Sequence, residues 1–321
     1  DPVSSERSCD LLCLSGGVPI TLPVVQEALR QGIPLSNDAQ EFLNRCPTPV
    51  IGITGSAGKT TTTALVGEML KASGAKTWIG GNIGNPLISD LTAIRGEDHV
   101  VMELSSFQLE LMRVSPQIAA VLNITPNHLD RHGTMKAYIE AKANIVAHQR
   151  HVDVAVLSHD EPNARALAGR TPARVRYFSG ERAVEDGAFL RQRDATLMLR
   201  DGEHELQVCQ RDALRLRGFH NVLNALAAIV LADAASVDVN AMRTAIAAFT
   251  GVAHRLEEVR KWNGVLWVND SIATAPERVL AALDSFEEPL VLLAGGRDKE
   301  LPWNVYARRV VERVRVLVLF G

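Results

Sequence analysis

The chain has 321 residues, 46% hydrophobic and 22% charged, with a formal charge of −3, a length that predicts two domains, or three if one is small or incomplete. This composition builds sizeable cores and excludes disordered, collagen-like and disulfide-scaffold classes, and the balanced charge argues against nucleic-acid binding through bulk electrostatics. The longest apolar run, Ala225 to Ala232, is far short of the roughly 18–20 residues of a membrane span, no secretory signal is visible, and four scattered cysteines form no disulfide framework, so a reducing, cytoplasmic setting is expected.

Through about Pro47 the sequence predicts part of an α/β unit. An apolar run at Asp10–Leu14 leads into a turn at Ser15-Gly16-Gly17-Val18-Pro19, a helix over Pro23–Gln31 closes on Gly32, and Ile33-Pro34-Leu35 reads as a strand. From Pro49, Val50–Ile53 is a short buried strand, and Thr54-Gly55-Ser56-Ala57-Gly58-Lys59-Thr60-Thr61 turns the chain into a helix capped near Gly74. Strands at His99–Met102, Ala119–Leu122 and Val154–Leu157 alternate with helical sequence, as in a mostly parallel sheet covered by helices. From Val175 to Gln210 shorter alternating segments, such as Thr196–Leu199 and Leu206–Val208, predict antiparallel excursions, and Asn221–Ala232 predicts a buried helix. A third segment begins near Gly251, with strands at Val265–Val268, Leu290–Leu293 and Val314–Leu319 and helices around Pro276–Leu283 and Trp303–Glu312. The chain opens on Asp1 and stops at Gly321 just as a strand delivers its loop, which predicts a piece cut at both ends.

The strand–loop–helix at 50–70 carries the strongest chemistry. A Gly-rich loop at a helix start aims backbone N–H groups and the helix dipole at one point, Lys59 adds a full charge, and the Thr60 hydroxyl can ligate Mg²⁺, so the loop suits nucleotide phosphates. The usual Gly-x4-Gly-Lys-[Ser/Thr] spacing is replaced by the shorter Thr-Gly-x-x-Gly-Lys-Thr form. Glu103, at the end of a parallel strand, lies where such sheets bind ligands, and its oxygens suit Mg²⁺. Taken alone, His128 in Asn127-His128-Leu129-Asp130 reads as structural, and on spacing alone Lys142 reads as an ordinary helix-surface lysine.

Together these segments resemble the Mur ligases of peptidoglycan precursor synthesis. The resemblance rests on Thr54–Thr60, Gly80-Gly81-Asn82-Ile83-Gly84, Glu103-Leu104-Ser105-Ser106-Phe107-Gln108 and Asn127–Asp130. It continues in order through His220–Ala228, His254-Arg255 and Asn269-Asp270-Ser271. It implies an α/β, three-domain architecture: a partial uridine-binding domain over 1–48, a central P-loop parallel-sheet ATP domain over 49–252, and a partial Rossmann-like amino-acid domain over 253–321. The Ser-Ser-Phe-Gln-Leu-Glu run and the Gly-Gly-Asn-Ile-Gly loop favour the branch that adds D-glutamate to UDP-N-acetylmuramoyl-L-alanine.

By that resemblance, ATP lies on Gly55, Ser56, Ala57, Gly58, Lys59, Thr60 and Thr61, with Asn224, Arg255 and Asp270 reaching the nucleotide. Thr60 and Glu103 hold one Mg²⁺ and His128 a second, while Lys142 corresponds to a carbamylated lysine, which replaces the surface reading. Ser15 and Gly16 contact the uridine nucleotide, Asn82 and Ser105 the muramoyl substrate, and Lys299 the incoming amino acid. Lys59, Glu103, His128 and Lys142 form the implied catalytic set. The implied reaction joins two small-molecule substrates through an acyl phosphate, in a monomer. One departure stands out: the family's Asp-Ser-Lys-Ala-Thr reads Asp270-Ser271-Ile272-Ala273-Thr274 here, which leaves L-glutamate as a rival acceptor. The serine and aromatic residues completing a glutamate pocket are expected beyond Gly321. A sister amide ligase with another amino acid or a folate-like acceptor is a competing reading. So is a non-catalytic nucleotide-binding protein, which the full set of Lys59, Thr60, Glu103, His128 and Lys142 opposes.

Overall fold

The computed structural model describes residues 9–82, 84, 86–273, 276–296 and 303–321. Its strands are β1 (Leu12–Cys13), β2 (Leu35–Ser36), β3 (Val50–Thr54), β4 (Thr77–Gly81), β5 (His99–Glu103), β6 (Ile118–Val121), β7 (Val154–Ser158), β8 (Arg174–Ser179), β9 (Asp186–Arg191), β10 (Thr196–Asp201), β11 (His204–Gln210), β12 (Glu257–Trp262), β13 (Val265–Asn269), β14 (Leu290–Gly295) and β15 (Val314–Phe320). The helices are α1 (Pro23–Arg30), α2 (Asp38–Arg45), α3 (Lys59–Ala72), α4 (Ser106–Leu111), α5 (Leu129–His132), α6 (Met135–Ala147), α7 (Pro162–Ala166), α8 (Phe219–Ala234), α9 (Val239–Ala248), α10 (Pro276–Leu283) and α11 (Asn304–Arg313).

A nine-stranded sheet, in the order β11-β10-β9-β8-β7-β6-β3-β5-β4, forms the centre. Its strands are apolar on both faces, as sheets covered by helices on both sides must be. Ile51, Ile53 and Val101 point into one core with Leu65 and Met69 of α3, Leu226 and Ile229 of α8, and Met242 of α9. Val50, Val100 and Met102 point the other way, into a core with Phe42 of α2, Leu109 of α4 and Tyr138 and Ile145 of α6. The strand order reverses about β3: the chain leaves it for β4 and β5 on one side and returns at β6 on the other. Ligands bind such sheets at this crevice, beyond the carboxyl ends of the strands.

The antiparallel excursion is narrower than the sequence pattern predicts. β8 pairs parallel with β7 and β9 parallel with β8, so the antiparallel pairings of this sheet are β9–β10 and β10–β11, with β10 running against the rest. Elements beyond the predicted set include α2, capped by Asn37; the edge strand β4; α9, capped by Asp238; and β12, which forms a hairpin with β13. That hairpin turns at Asn263-Gly264, both at positive φ, the backbone a two-residue hairpin turn requires. The remaining elements are the parallel pairs β1–β2 and β14–β15 with their helices. Among the described residues no helix is long and apolar enough to cross a membrane.

Candidate active site

The loop between β3 and α3 is clamped from outside. Ser56 N donates to Asn123 O at 2.9 Å, and the Asn123 side chain accepts from Ala57 N at 2.9 Å and donates to Ala57 O at 3.2 Å. Ser56 Oγ donates to Thr125 O at 2.9 Å and lies 3.0 Å from the Tyr138 hydroxyl. Gly58 caps α3 at φ 84°, and a Cβ there would stand 2.3 Å from Asn224 Oδ1, so only glycine fits both the backbone and the space. Asn224, steadied by its bond to Asn221 Oδ1 at 3.0 Å, therefore underlies the loop. Thr61 is buried in the first turn of α3.

Lys59 folds back over the loop and donates to Gly55 O at 2.9 Å. Burial pushes its pKa down to about 8, with Glu103 opposing and Arg278 and Arg255 adding to the depression. Glu103 is the last residue of β5, and only 2% of it is exposed. Thr60 Oγ1 donates to Glu103 Oε2 at 2.9 Å, and Asn82 Nδ2 donates to Oε1 at 3.0 Å. Arg255 Nη2 donates to Thr60 Oγ1 at 2.9 Å across 195 residues of sequence. The turn that presents Arg255 is strained, with His254 and Leu256 on either side at φ 64° and 46°, the kind of backbone cost that concentrates at functional sites. Asp270 Oδ1 accepts from Leu256 N at 3.1 Å and so braces the same turn; burial raises its pKa.

Lys142 is not on a surface. Only 1% of it is exposed, because α6 is packed between the sheet and its neighbours. Its Nζ donates to Gly55 O at 3.0 Å and Thr54 Oγ1 at 3.2 Å. Burial, then the charge of Lys59, lowers its pKa well below the usual lysine value, which favours the neutral, nucleophilic form of its amine.

His128, at φ 54°, packs edge-on to Phe107 with ring centres 5.1 Å apart, and its pKa is lowered, mainly by burial. No hydrogen bond among the described residues joins it to Thr60 or Glu103. Phe107 also stacks on His132, whose Nε2 lies 2.9 Å from Ser106 Oγ. Ser105 spends its side chain on a capping box with Gln108 at the start of α4. Ser15 and Gly16 form a turn above Phe107, held by Arg131 Nη2 donating to Val18 O at 2.9 Å. Lys299 and Thr274 lie outside the described residues. The sequence reading gave no role to Asn123 or Tyr138, which hold the loop; Asn123 had a signal, since it directly follows a strand.

The donor set fits a hard dication. Thr60 and Glu103 offer two oxygens in contact, and the guanidinium on Thr60 marks that place as a seat for positive charge. Two oxygen ligands from the protein leave room for the phosphate and water oxygens that Mg²⁺ keeps in its shell.

Residues 53–232 match the family described as Mur ligase middle domain. The chain is 46% identical over 314 residues to the UDP-N-acetylmuramoylalanine–D-glutamate ligase of Symbiobacterium thermophilum, covering 97% of this chain and 69% of that protein. Among solved structures it resembles MurC, the UDP-N-acetylmuramate-alanine ligase of Thermotoga maritima, with a TM-score of 0.67 and 22% identity, covering 99% of this chain and 73% of that one. It also resembles MurF ligase from Thermotoga maritima in complex with ADP, with a TM-score of 0.65 and 19% identity, covering 92% and 81%.

Proposed function

The chain belongs to the Mur ligase family, and on that premise we propose that it uses ATP to join D-glutamate to the alanyl carboxylate of UDP-N-acetylmuramoyl-L-alanine. The carrying observation is the 46% identity, over 97% of the chain, to a ligase named for that reaction. The alanyl carboxylate oxygen attacks the γ-phosphorus of ATP, ADP leaves, and an acyl phosphate forms. The amine of glutamate then adds to the acyl carbon, and phosphate leaves as the amide closes and the amine loses its proton.

In this reading the loop from Gly55 to Thr61 cradles the phosphates, and Lys59 and Arg255 spread the charge that develops on the transferring phosphoryl group. Thr60 and Glu103 hold one Mg²⁺, His128 serves a second, and these ions supply charge neutralisation at the phosphate oxygens. Lys142 carries a carbamate, formed when CO₂ adds to its neutral amine and the nitrogen loses a proton to solvent, which makes the position an anionic oxygen ligand. Asn224 and Asp270 steady the nucleotide side, Ser15 and Gly16 receive the uridine nucleotide, Asn82 and Ser105 the muramoyl portion, and Lys299 the amino acid. Residues 1–48, 49–252 and 253–321 act as uridine, ATP and amino-acid domains, in a cytoplasmic monomer. The test is phosphate release from ATP with the full-length protein. It should require UDP-N-acetylmuramoyl-L-alanine and rise with D-glutamate; release indifferent to the UDP substrate would contradict the assignment.

A further inference from the structure

Arg217 immediately precedes Gly218, the N-cap of α8, a helix buried against the central sheet. Its backbone is held by the rigid part of the molecule, while its side chain reaches into the chain that follows α9. Nη1 donates to both carboxylate oxygens of Glu288, at 2.9 and 3.3 Å, and Nε donates to Glu258 Oε1 at 3.3 Å. The guanidinium also lies 5.3 Å from the ring centre of Phe286. Glu258 is on β12, and Phe286 and Glu288 lie between α10 and β14, so one guanidinium grips two separate elements. The chain approaches closely at the same place: a Cβ on Gly218, at φ 83°, would stand 2.5 Å from Ser285 Oγ. A cavity of 510 Å³ opens beside this contact, lined in part by Arg217, Ser285 and Glu288, so the seam is gripped by charge with open space next to it.

Two short paths lead from Arg217 to the phosphate loop. Arg217 O accepts from Asn221 Nδ2 at 2.7 Å, Asn221 Oδ1 accepts from Asn224 Nδ2 at 3.0 Å, and Asn224 lies under Gly58. On the other side, Glu258 follows Glu257, whose carboxylate accepts from His254 N at 2.8 Å. That bond fastens the strained turn that aims Arg255 at Thr60. Arg217 thus ties together the two halves whose meeting is the Arg255–Thr60 contact. Its ion pairs are exposed, with the Arg217 side chain 33% and both glutamates 55% accessible, and pairs of that kind add little to stability. What a forked, multiply bonded guanidinium adds is orientation.

We propose that Arg217 is a positioning residue, holding β12 and the α10–β14 connection against α8 in the placement that brings Arg255 to the phosphate loop. The proposal rests on the ATP-dependent reading above. When the grip is lost, these elements spend part of their time out of that placement, and the apparent nucleotide affinity falls by the fraction lost.

The test measures AMP-PNP binding with Mg²⁺ by calorimetry, together with melting temperature, on full-length protein. It compares the wild type, Arg217→Ala, Arg217→Gln, Arg217→Lys, Arg255→Ala and the double variant Arg217→Ala with Arg255→Ala. Arg217→Gln keeps a polar side chain in case the alanine variant does not fold. Expected is a loss of affinity of about threefold to tenfold in the Ala and Gln variants, at an unchanged melting temperature, with partial recovery in Arg217→Lys. The double variant should bind no more weakly than Arg255→Ala alone, because a residue that acts through Arg255 then has nothing left to position. Additive losses in the double variant would overturn the route through Arg255. Wild-type affinity in Arg217→Gln would overturn the positioning role while leaving the ligase reading intact. A fall in melting temperature that accounts for the lost affinity would overturn it too, by making the residue merely structural. Wild-type protein that binds no AMP-PNP would instead bring down the ATP reading itself.

Discussion

Lys59 and Lys142 donate to the same carbonyl oxygen, Gly55 O, at 2.9 and 3.0 Å. Burial lowers the pKa of both, and the charge of Lys59 lowers that of Lys142 further. An anionic ligand beside Lys59 favours its protonated form, whereas the lowered pKa of Lys142 favours a neutral amine, the form the proposed carbamylation requires.

Lys59→Ala should abolish nucleotide-dependent phosphate release, by roughly 10²–10³-fold or more, the scale on which removing one transition-state charge contact acts. The melting temperature without ATP should stay near the wild-type value. Wild-type turnover in this variant would remove the phosphate-loop assignment.

Nucleotide affinity should depend on pH through Lys59. Below about pH 8 the free protein already carries the ammonium. Above it, phosphate must draw a proton in with it, so affinity should fall, by up to about tenfold per pH unit. Calorimetry at pH 7 and pH 9, in buffers of different ionisation enthalpy, should show weaker binding and proton uptake at the higher pH. Identical affinity and no uptake would contradict a depressed Lys59.

Lys142→Ala should lower activity by about 100-fold, with partial recovery in acetate, which returns carboxylate oxygens to the cavity. With ¹³C-labelled bicarbonate the wild type should give a carbamate carbon signal that the variant lacks. Full activity in Lys142→Ala would refute the carbamate.

Gly58→Ala forces a Cβ into Asn224 Oδ1 at a positive φ. It should cost about 1–3 kcal/mol and shift the phosphate loop, read as a lower melting temperature together with weakened ATP binding. A variant that melts and binds as wild type would mean the loop tolerates a side chain there.

The phosphate loop was legible because its strand, glycines, Lys59 and helix are contiguous, and each obeys a local rule. Glu103 was legible for the same reason, as a carboxylate ending a strand. Lys142 was not legible from periodicity, since α6 is buried on most sides and a 3.6-residue pattern cannot mark its outer face. Arg255 meets Thr60 across 195 residues, a contact no local pattern encodes. The parallel pairing of β8 and β9 was misread because short alternating strands look alike whichever way the neighbour runs. The β12–β13 hairpin did carry its signal, in Asn263-Gly264.

The central claim is the joining of D-glutamate to the alanyl carboxylate. Full-length protein incubated with ATP, Mg²⁺ and UDP-N-acetylmuramoyl-L-alanine should yield, with D-glutamate, a product heavier by one glutamyl residue and one phosphate per amide formed. The yield with L-glutamate should be far lower, and Ile272→Lys should leave that preference unchanged. Equal or greater ligation of L-glutamate, or of a different amino acid, would contradict the account.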